Sequence, residues 1–229
     1  MVYRRSAPGE NPRLDSSDYQ STRKRVPLNP PIRLEHTLSE ITGPRIWTAA
    51  TPSDADLIHF DGGEAIGERI IVAGRVLDDD GRPLAGALIE IWQANSAGRY
   101  AHDADRHDAP LDPHFSGVGR AVTGPDGAFR FTTIKPGAYP WHNHPNAWRP
   151  AHIHYSLFGP AFATRLVTQA YFPGDPLIPL DPILNSIPDQ SARNRLVAAF
   201  DLGTTIPGYA LGYRFDFVLR GRQATPEVS

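Results

Sequence analysis

From Arg69 onward the chain is a run of short segments of alternating apolar and polar residues, each closed by Gly, Pro, Asn or Asp. R-I-I-V-A-G-R-V-L leads through D-D-D-G-R-P-L-A-G into A-L-I-E-I-W-Q-A. Val122-Thr123, then G-P-D-G, then A-F-R-F-T-T-I repeat that arrangement, with Asp126-Gly127 a favourable turn pair. A-H-I-H-Y-S-L-F, T-R-L-V-T-Q-A-Y-F and Y-R-F-D-F-V-L-R bring the set to six or seven strands. Strands this short cannot shelter an apolar face alone, and the arrangement that buries one face of each is an antiparallel β-sandwich. The two turn-linked pairs are expected as hairpins. One short helix is expected, with Ser186 as N-cap, Pro188 and Asp189 in its first turn, R-N-R-L-V-A-A-F as its body and an end near Gly203.

The 20 Gly and 23 Pro read as turns in a β-rich globule, because 40% of the 229 residues are apolar and 10% aromatic. Residues 1 to 65 are rich in Pro, Ser and charge and hold no sustained period, so they read as an arm. Residues 66–222 are the core and 223–229 a tail. An arm this long is not an idle loop; it wraps over the core or over a neighbouring subunit. Its Ile32, Leu34, Leu38, Ile41, Ile46 and Trp47 need burial, which a subunit interface would supply. Arg23-Lys24-Arg25 reads as a solvated turn before Pro27 in preference to an anion site.

With 23 Lys+Arg against 25 Asp+Glu the net charge is −2, which leaves no electrostatic footprint for nucleic acid or an anionic membrane surface. No segment approaches the ~20 apolar residues that span a bilayer, and the polar start lacks the apolar stretch of a secretory leader. A cytoplasmic protein is expected. The absence of cysteine excludes disulfides, iron–sulfur clusters and thiolate zinc. Any metal must be held by His, carboxylate, Tyr or backbone oxygen.

Two segments carry candidate chemistry. In A-H-I-H-Y-S-L-F, a strand places His152 and His154 on one face, with Cα atoms about 6.5 Å apart at about 3.3 Å per residue. Two imidazoles so placed can converge on one metal, while Ile153 and Tyr155 face the other way. H-x-H alone equally suits ordinary hydrogen-bonded histidines. Just upstream, P-G-A-Y-P-W-H-N-H-P-N-A-W-R-P is stiffened by Pro140, Pro145 and Pro150 and reads as a binding loop on a rigid scaffold. The alternative is an aromatic plug at one end of the sandwich. Were a metal bound, two His and no Cys would leave oxygen donors to complete its shell. A phenolate suits a ferric ion, and only a strong Lewis acid keeps a phenol of pKa near 10 ionised at neutral pH. Tyr100 and Tyr139 each sit in a Gly- or Pro-flanked loop beside a strand end, but spacing does not select them from eight tyrosines.

Residues 71 to 100, I-V-A-G-R-V-L through A-N-S-A-G-R-Y, resemble the signature of the intradiol ring-cleavage dioxygenases. Y-P-W…W-R-P-A-H-I-H is similar to the same family, as are A-P-L-D-P, T-I-K-P-G, Y-F-P-G-D-P-L-I-P and Y-R-F-D-F-V-L-R-G. The likeness is dense over residues 64 to 222. It implies a transthyretin-like (prealbumin-like) sandwich and one non-haem Fe(III) per chain, held by Tyr100, Tyr139, His152 and His154. It further implies the iron-bearing β type of subunit, joined to an α subunit that has lost the ligands, in a hetero-oligomer of αβ units. The implied reaction is cleavage of 3,4-dihydroxybenzoate with O2 to 3-carboxy-cis,cis-muconate.

By the same resemblance Tyr139 doubles as catalytic base, and Arg149 is the cation that stabilises charge on the ring. Trp141, Gln169 and Ile183 would line the pocket, and Tyr19 is an arm tyrosine that reaches the substrate. His142 and His144 are extra imidazoles, kept outside the metal shell. Catechol or hydroxyquinol is the alternative substrate, although relatives of that kind usually carry a helical N-terminal domain that this arm does not suggest. A non-catalytic transthyretin-like binding module is the remaining alternative, since D-D-D-G-R-P-L-A-G-A is a turn pattern shared with such domains.

Overall fold

The computed structural model describes residues 7–30, 32, 54–144, 147–158, 165–219 and 221–228. After a one-turn helix α1 (Thr22–Arg25), β1 (His59–Phe60) and β2 (Gly63–Glu64) form a small antiparallel pair. The sandwich is built from β3 (Arg69–Leu77), β4 (Leu88–Trp92), β5 (Val118–Val122), β6 (Ala128–Ile134), β9 (His152–Phe158), β10 (Arg165–Tyr171), β11 (Ala199–Phe200), β12 (Leu211–Arg214) and β13 (Phe217–Val218). Between β6 and β9 stands a short ribbon, β7 (Tyr139–Trp141) paired with β8 (Ala147–Arg149). One sheet runs β10-β9-β4-β5, antiparallel throughout. The other is centred on β3, with β6 along one side and β12 continued by β13 along the other.

Period-2 alternation decides which residues meet between the sheets. Ile70, Val72 and Val76 of β3, Phe129 and Phe131 of β6, and Phe217 belong to one buried cluster with Ile89 and Ile91 of β4 and Ile153, Tyr155 and Leu157 of β9. Tyr155 bridges the layers, its ring 6.2 Å from that of Phe131 and 6.0 Å from that of Phe215. Each such side chain contributes about 1.5–3 kcal/mol on burial. With Ile153 and Tyr155 turned inward, His152 and His154 must point away from the core. Gly74 fits this layer for a specific reason: a Cβ there would lie 1.8 Å from the Phe215 carbonyl oxygen.

Three expectations need correction. The two turn-linked strand pairs are not hairpins, since β3 and β4 lie in opposite sheets, as do β5 and β6. The turns form with Gly81 and Gly127 at φ 77° and 72°, but such a turn delivers the chain across the sandwich as readily as back along the same sheet. The antiparallel architecture also carries parallel pairing, of β12 and β13 with β3. Finally, Ser186 is no N-cap. It closes the one-turn helix α2 (Pro182–Asn185), which Asp181 caps, while Asp189 caps α3 (Gln190–Asn194). Beyond Arg195 the apolar residues leave the helix: Val197 bridges Tyr171, and the Ala198 N–H donates to the Tyr171 carbonyl at 2.8 Å.

The beginning and end of the chain fasten to this helical segment and to β10. The Arg13 N–H donates to the Ser186 carbonyl, Asp189 N–H to that of Gly9, and Glu10 pairs with Arg195 at 3.2 Å. Residues 223–228 pack back along β10, with Val228 N–H donating to Val167 and the Thr168 hydroxyl to Pro226. Arg23, Lys24 and Arg25 are exposed on α1. Ile32 is 85% exposed; Leu34, Leu38, Ile41, Ile46 and Trp47 lie outside the described residues. Among the described residues no helix is long and apolar enough to cross a membrane.

Candidate metal centre

The outward face of β9 presents His152 and His154 with their Nε2 atoms 3.1 Å apart. His152 Nδ1 lies 2.7 Å from the Pro150 carbonyl; that oxygen can only accept, so the proton sits on Nδ1 and Nε2 is left as an acceptor. His154 is clamped by Trp92, stacked at 5.0 Å with 5° between the planes, its neighbour across the β4–β9 ladder. From the β7–β8 ribbon Tyr139 brings its hydroxyl to 3.2 Å from His152 Nε2. The Tyr100 ring stands edge-on to Tyr139 at 5.4 Å and lies 6.3 Å from His154. The rings of all four expected ligands are therefore brought together. Metal bonds of about 2.0–2.1 Å place adjacent donors roughly 3 Å apart, which matches the Nε2–Nε2 and Nε2–hydroxyl separations.

The two tyrosines come from different loops, and a pair of glycines joins those loops. Gly98 has φ +78°, and a Cβ there would stand 2.1 Å from the Ala138 carbonyl oxygen. A Cβ at Gly137 would stand 2.4 Å from the Ser96 carbonyl oxygen. The N–H groups of Gly98 and Gly137 both donate to the Asn95 carbonyl. Backbone thus lies directly on backbone, two residues before Tyr100 and Tyr139. Gly98→Ala should force these loops apart and add left-handed strain, at a cost of about 2–4 kcal/mol. A lower thermal midpoint together with reduced metal retention is the expected result; a normal value for both would show that the close approach is dispensable.

The site's electrostatics test whether a metal fits. Tyr100 Oη is buried without a hydrogen-bond partner among the described residues. Burial first, then Tyr139 beside it, pushes the Tyr100 pKa well above its ordinary value. Burial, reinforced by Arg149, holds His152 well below its usual pKa, and burial, His152 and Arg149 do the same for His154. Two buried neutral imidazoles whose Nε2 atoms face one centre, beside an orphaned phenol, leave polar capacity unused. A hard, highly charged cation would satisfy all of them at once and reverse the penalty on the phenolate. The residues fit such an ion.

Arg149 stands beside this cluster, 2% exposed. Its Nε donates to Asp181 Oδ1 at 3.1 Å, and Nη2 donates to Asp181 Oδ2 at 3.0 Å, to the Tyr171 hydroxyl and to Gln169 Oε1. Burial opposes the charge, but Tyr171 and Asp181 more than offset it, and the guanidinium is held above its ordinary pKa. Its other neighbour is Trp141, with the guanidinium carbon 6.0 Å from the ring centroid. Gln169, expected in the pocket lining, lies opposite His154 in the β9–β10 ladder and accepts from Arg149.

Tyr19 packs edge-on to Trp141 at 5.0 Å, which sets the arm against the β7–β8 ribbon. Ile183 lies on α2 and, with Tyr19, Arg13 and Arg25, lines a cavity of about 330 Å³. His142 and His144 occupy the turn between β7 and β8. Sequence reasoning missed Asp181, Tyr171 and Trp92. Asp181 before Pro182 carries a helix-cap signal, whereas nothing local marks the other two.

A family model described as Dioxygenase matches residues 41–221. The protocatechuate 3,4-dioxygenase beta chain of Burkholderia cepacia is 57% identical over 213 residues, covering 91% of this chain and 90% of that one. The alpha chain from the same organism is 33% identical over 164 residues, covering 70% of this chain and 77% of its own. The solved 3-chlorocatechol 1,2-dioxygenase of Rhodococcus opacus superposes with a TM-score of 0.56 at 26% identity, over 71% of this chain and 63% of that one. Enzymes of this kind depend on non-haem iron, the cation that a shell of phenols and imidazoles suits. On the family match and the 57% identity alike, the chain belongs to the intradiol ring-cleavage dioxygenases.

Proposed function

We propose that this chain cleaves 3,4-dihydroxybenzoate with O2 to 3-carboxy-cis,cis-muconate, as the iron-bearing β subunit of a cytoplasmic αβ hetero-oligomer. One Fe(III) per chain would be held by Tyr100, Tyr139, His152 and His154. The observation that carries the reading is the convergence of two imidazoles and two phenols beside a fully buried, charged arginine. The assembly reading rests on Burkholderia cepacia, where a beta and an alpha chain are both similar to this sequence.

Bound ferric iron supplies Lewis acidity, making the catechol hydroxyls more acidic and drawing electron density from the ring. Tyr139 Oη is the proton acceptor for a substrate hydroxyl. Arg149 keeps its charge inside a dry site and faces the negative charge that develops as the ring is attacked. Trp141 and Ile183 exclude water, Gln169 restrains Arg149, and Tyr19 closes the arm side. A catechol bearing a carboxylate is favoured over catechol itself by the 57% identity to a protocatechuate 3,4-dioxygenase beta chain.

The test uses the chain co-expressed with its α partner. A broad visible charge-transfer band and a muconate dicarboxylate product are expected, with kcat/KM for protocatechuate about 10- to 100-fold above that for catechol, the scale of one charged hydrogen bond. A yellow semialdehyde, which cleavage outside the two hydroxylated carbons would give, sinks the ferric intradiol reading.

A further inference from the structure

We propose that Asp181 is a positioning residue for this reaction, fixing the orientation of the Arg149 guanidinium with help from Tyr171. The inference rests on the functional reading above and extends it to a residue with no part in holding metal or substrate.

Three observations support the assignment. Asp181 has no solvent exposure and forms a side-on, two-pronged pair with Arg149, from Nε to Oδ1 and from Nη2 to Oδ2. That geometry sets both the position and the plane of a guanidinium, which a single bond would not. Tyr171 locks the pair: its hydroxyl donates to Asp181 Oδ2 at 2.8 Å and accepts from Arg149 Nη2 at 3.0 Å. These bonds consume Nε and Nη2 and leave Nη1 uncommitted among the described residues. One edge of the cation is thus anchored, one face lies toward Trp141, and the remaining nitrogen is the one available to developing charge.

Asp181 is itself held in place. Its Oδ1 accepts the Ile183 N–H at 3.2 Å as N-cap of α2. The end of that helix is tied to the arm through Arg13 and Ser186. A cation held this firmly needs no reorganisation when charge appears, and that is what makes electrostatic stabilisation effective. The carboxylate's benefit is orientation, since its own charge reduces the positive field at the ring.

The discriminating variant is Asp181→Asn. An asparagine oxygen at the Oδ1 position keeps both the helix cap and the bond from Nε, because Asn caps as well as Asp. The amide nitrogen then confronts Nη2, donor against donor, so the loss falls on the arginine. The αβ enzyme carrying Asp181→Asn is expected to keep full iron content and an unchanged visible band. Anaerobic protocatechuate binding, read from the shift of that band, should change less than about threefold, while kcat falls on the order of 10- to 100-fold. In an Arg149→Ala background, Asp181→Asn should lower kcat no further, because a residue acting through Arg149 has nothing left to position.

Tyr171→Phe is the second variant, should Asp181→Asn fold poorly. It removes the lock without removing a charge, and should show a smaller kcat loss that likewise vanishes without Arg149. Unimpaired kcat in both single variants overturns the proposal, as does a multiplicative loss on top of Arg149→Ala. A wild-type enzyme that cleaves no catechol defeats the functional reading itself, a result distinct from either of these.

Discussion

His154→Ala in the αβ enzyme should yield a folded protein that retains less than about a tenth of its iron and has no measurable ring cleavage. His154 points away from the buried cluster that joins the two sheets, and its place is shared with Trp92, not with core aliphatics. Losing the ring should therefore cost stability only about as much as a modest cavity, roughly 1–3 kcal/mol, and leave the sandwich standing. Metal retention has no such reserve. In the proposed shell of four protein donors, one missing imidazole would open the ion to water and hydrolysis. His152→Ala should lose iron equally but be less stable, because it also strips the Pro150 carbonyl of its donor. Metal analysis and the visible spectrum decide the matter: full occupancy in both variants would remove the H-x-H pair from the shell.

The legibility of that pair in the sequence follows from a local rule. Alternation along a strand puts residues two apart on one face, so A-H-I-H could be read without knowing what β9 pairs with. The tyrosines are different. Tyr100 and Tyr139 meet because Gly98 and Gly137 let two loops touch backbone to backbone, a contact between segments about forty residues apart that no local pattern predicts. Only the family likeness selected them from the eight tyrosines of the chain.

The same division explains the errors in the fold. The β-sandwich was readable because alternation and turns are local. The partner of each strand was not, because the D-D-D-G and G-P-D-G turns form equally well when the chain crosses between sheets. The short helix expected from Ser186 to near Gly203 is cut back to Gln190–Asn194 for a non-local reason as well. Leu196 and Ala198 have helical spacing with their neighbours, yet the open backbone of Tyr171 captures Val197 and Ala198, and tertiary hydrogen bonds outweigh a weak helix propensity. Asp181 was passed over on similar grounds: D-P-I is a good helix start, and its pairing with Arg149 spans 32 residues.

Arg149→Ala should lower kcat by about 10²–10³-fold while changing KM by less than about tenfold, the pattern of a charge needed mainly in the transition state. Stability must be separated from catalysis here, because this arginine is also half of a fully buried ion pair. Its removal leaves Asp181 charged and unpaired away from water, an arrangement that costs about 3–5 kcal/mol. Arg149→Ala combined with Asp181→Ala removes the stranded charge, and should recover much of the lost thermal midpoint without recovering kcat. Arg149→Lys keeps a charge but cannot make the side-on pair with the carboxylate, so its kcat should fall between wild type and Arg149→Ala. If the double variant regained activity along with stability, the arginine's effect would be structural. If KM rose alone and kcat held, Arg149 would be a residue that binds the substrate and does nothing more.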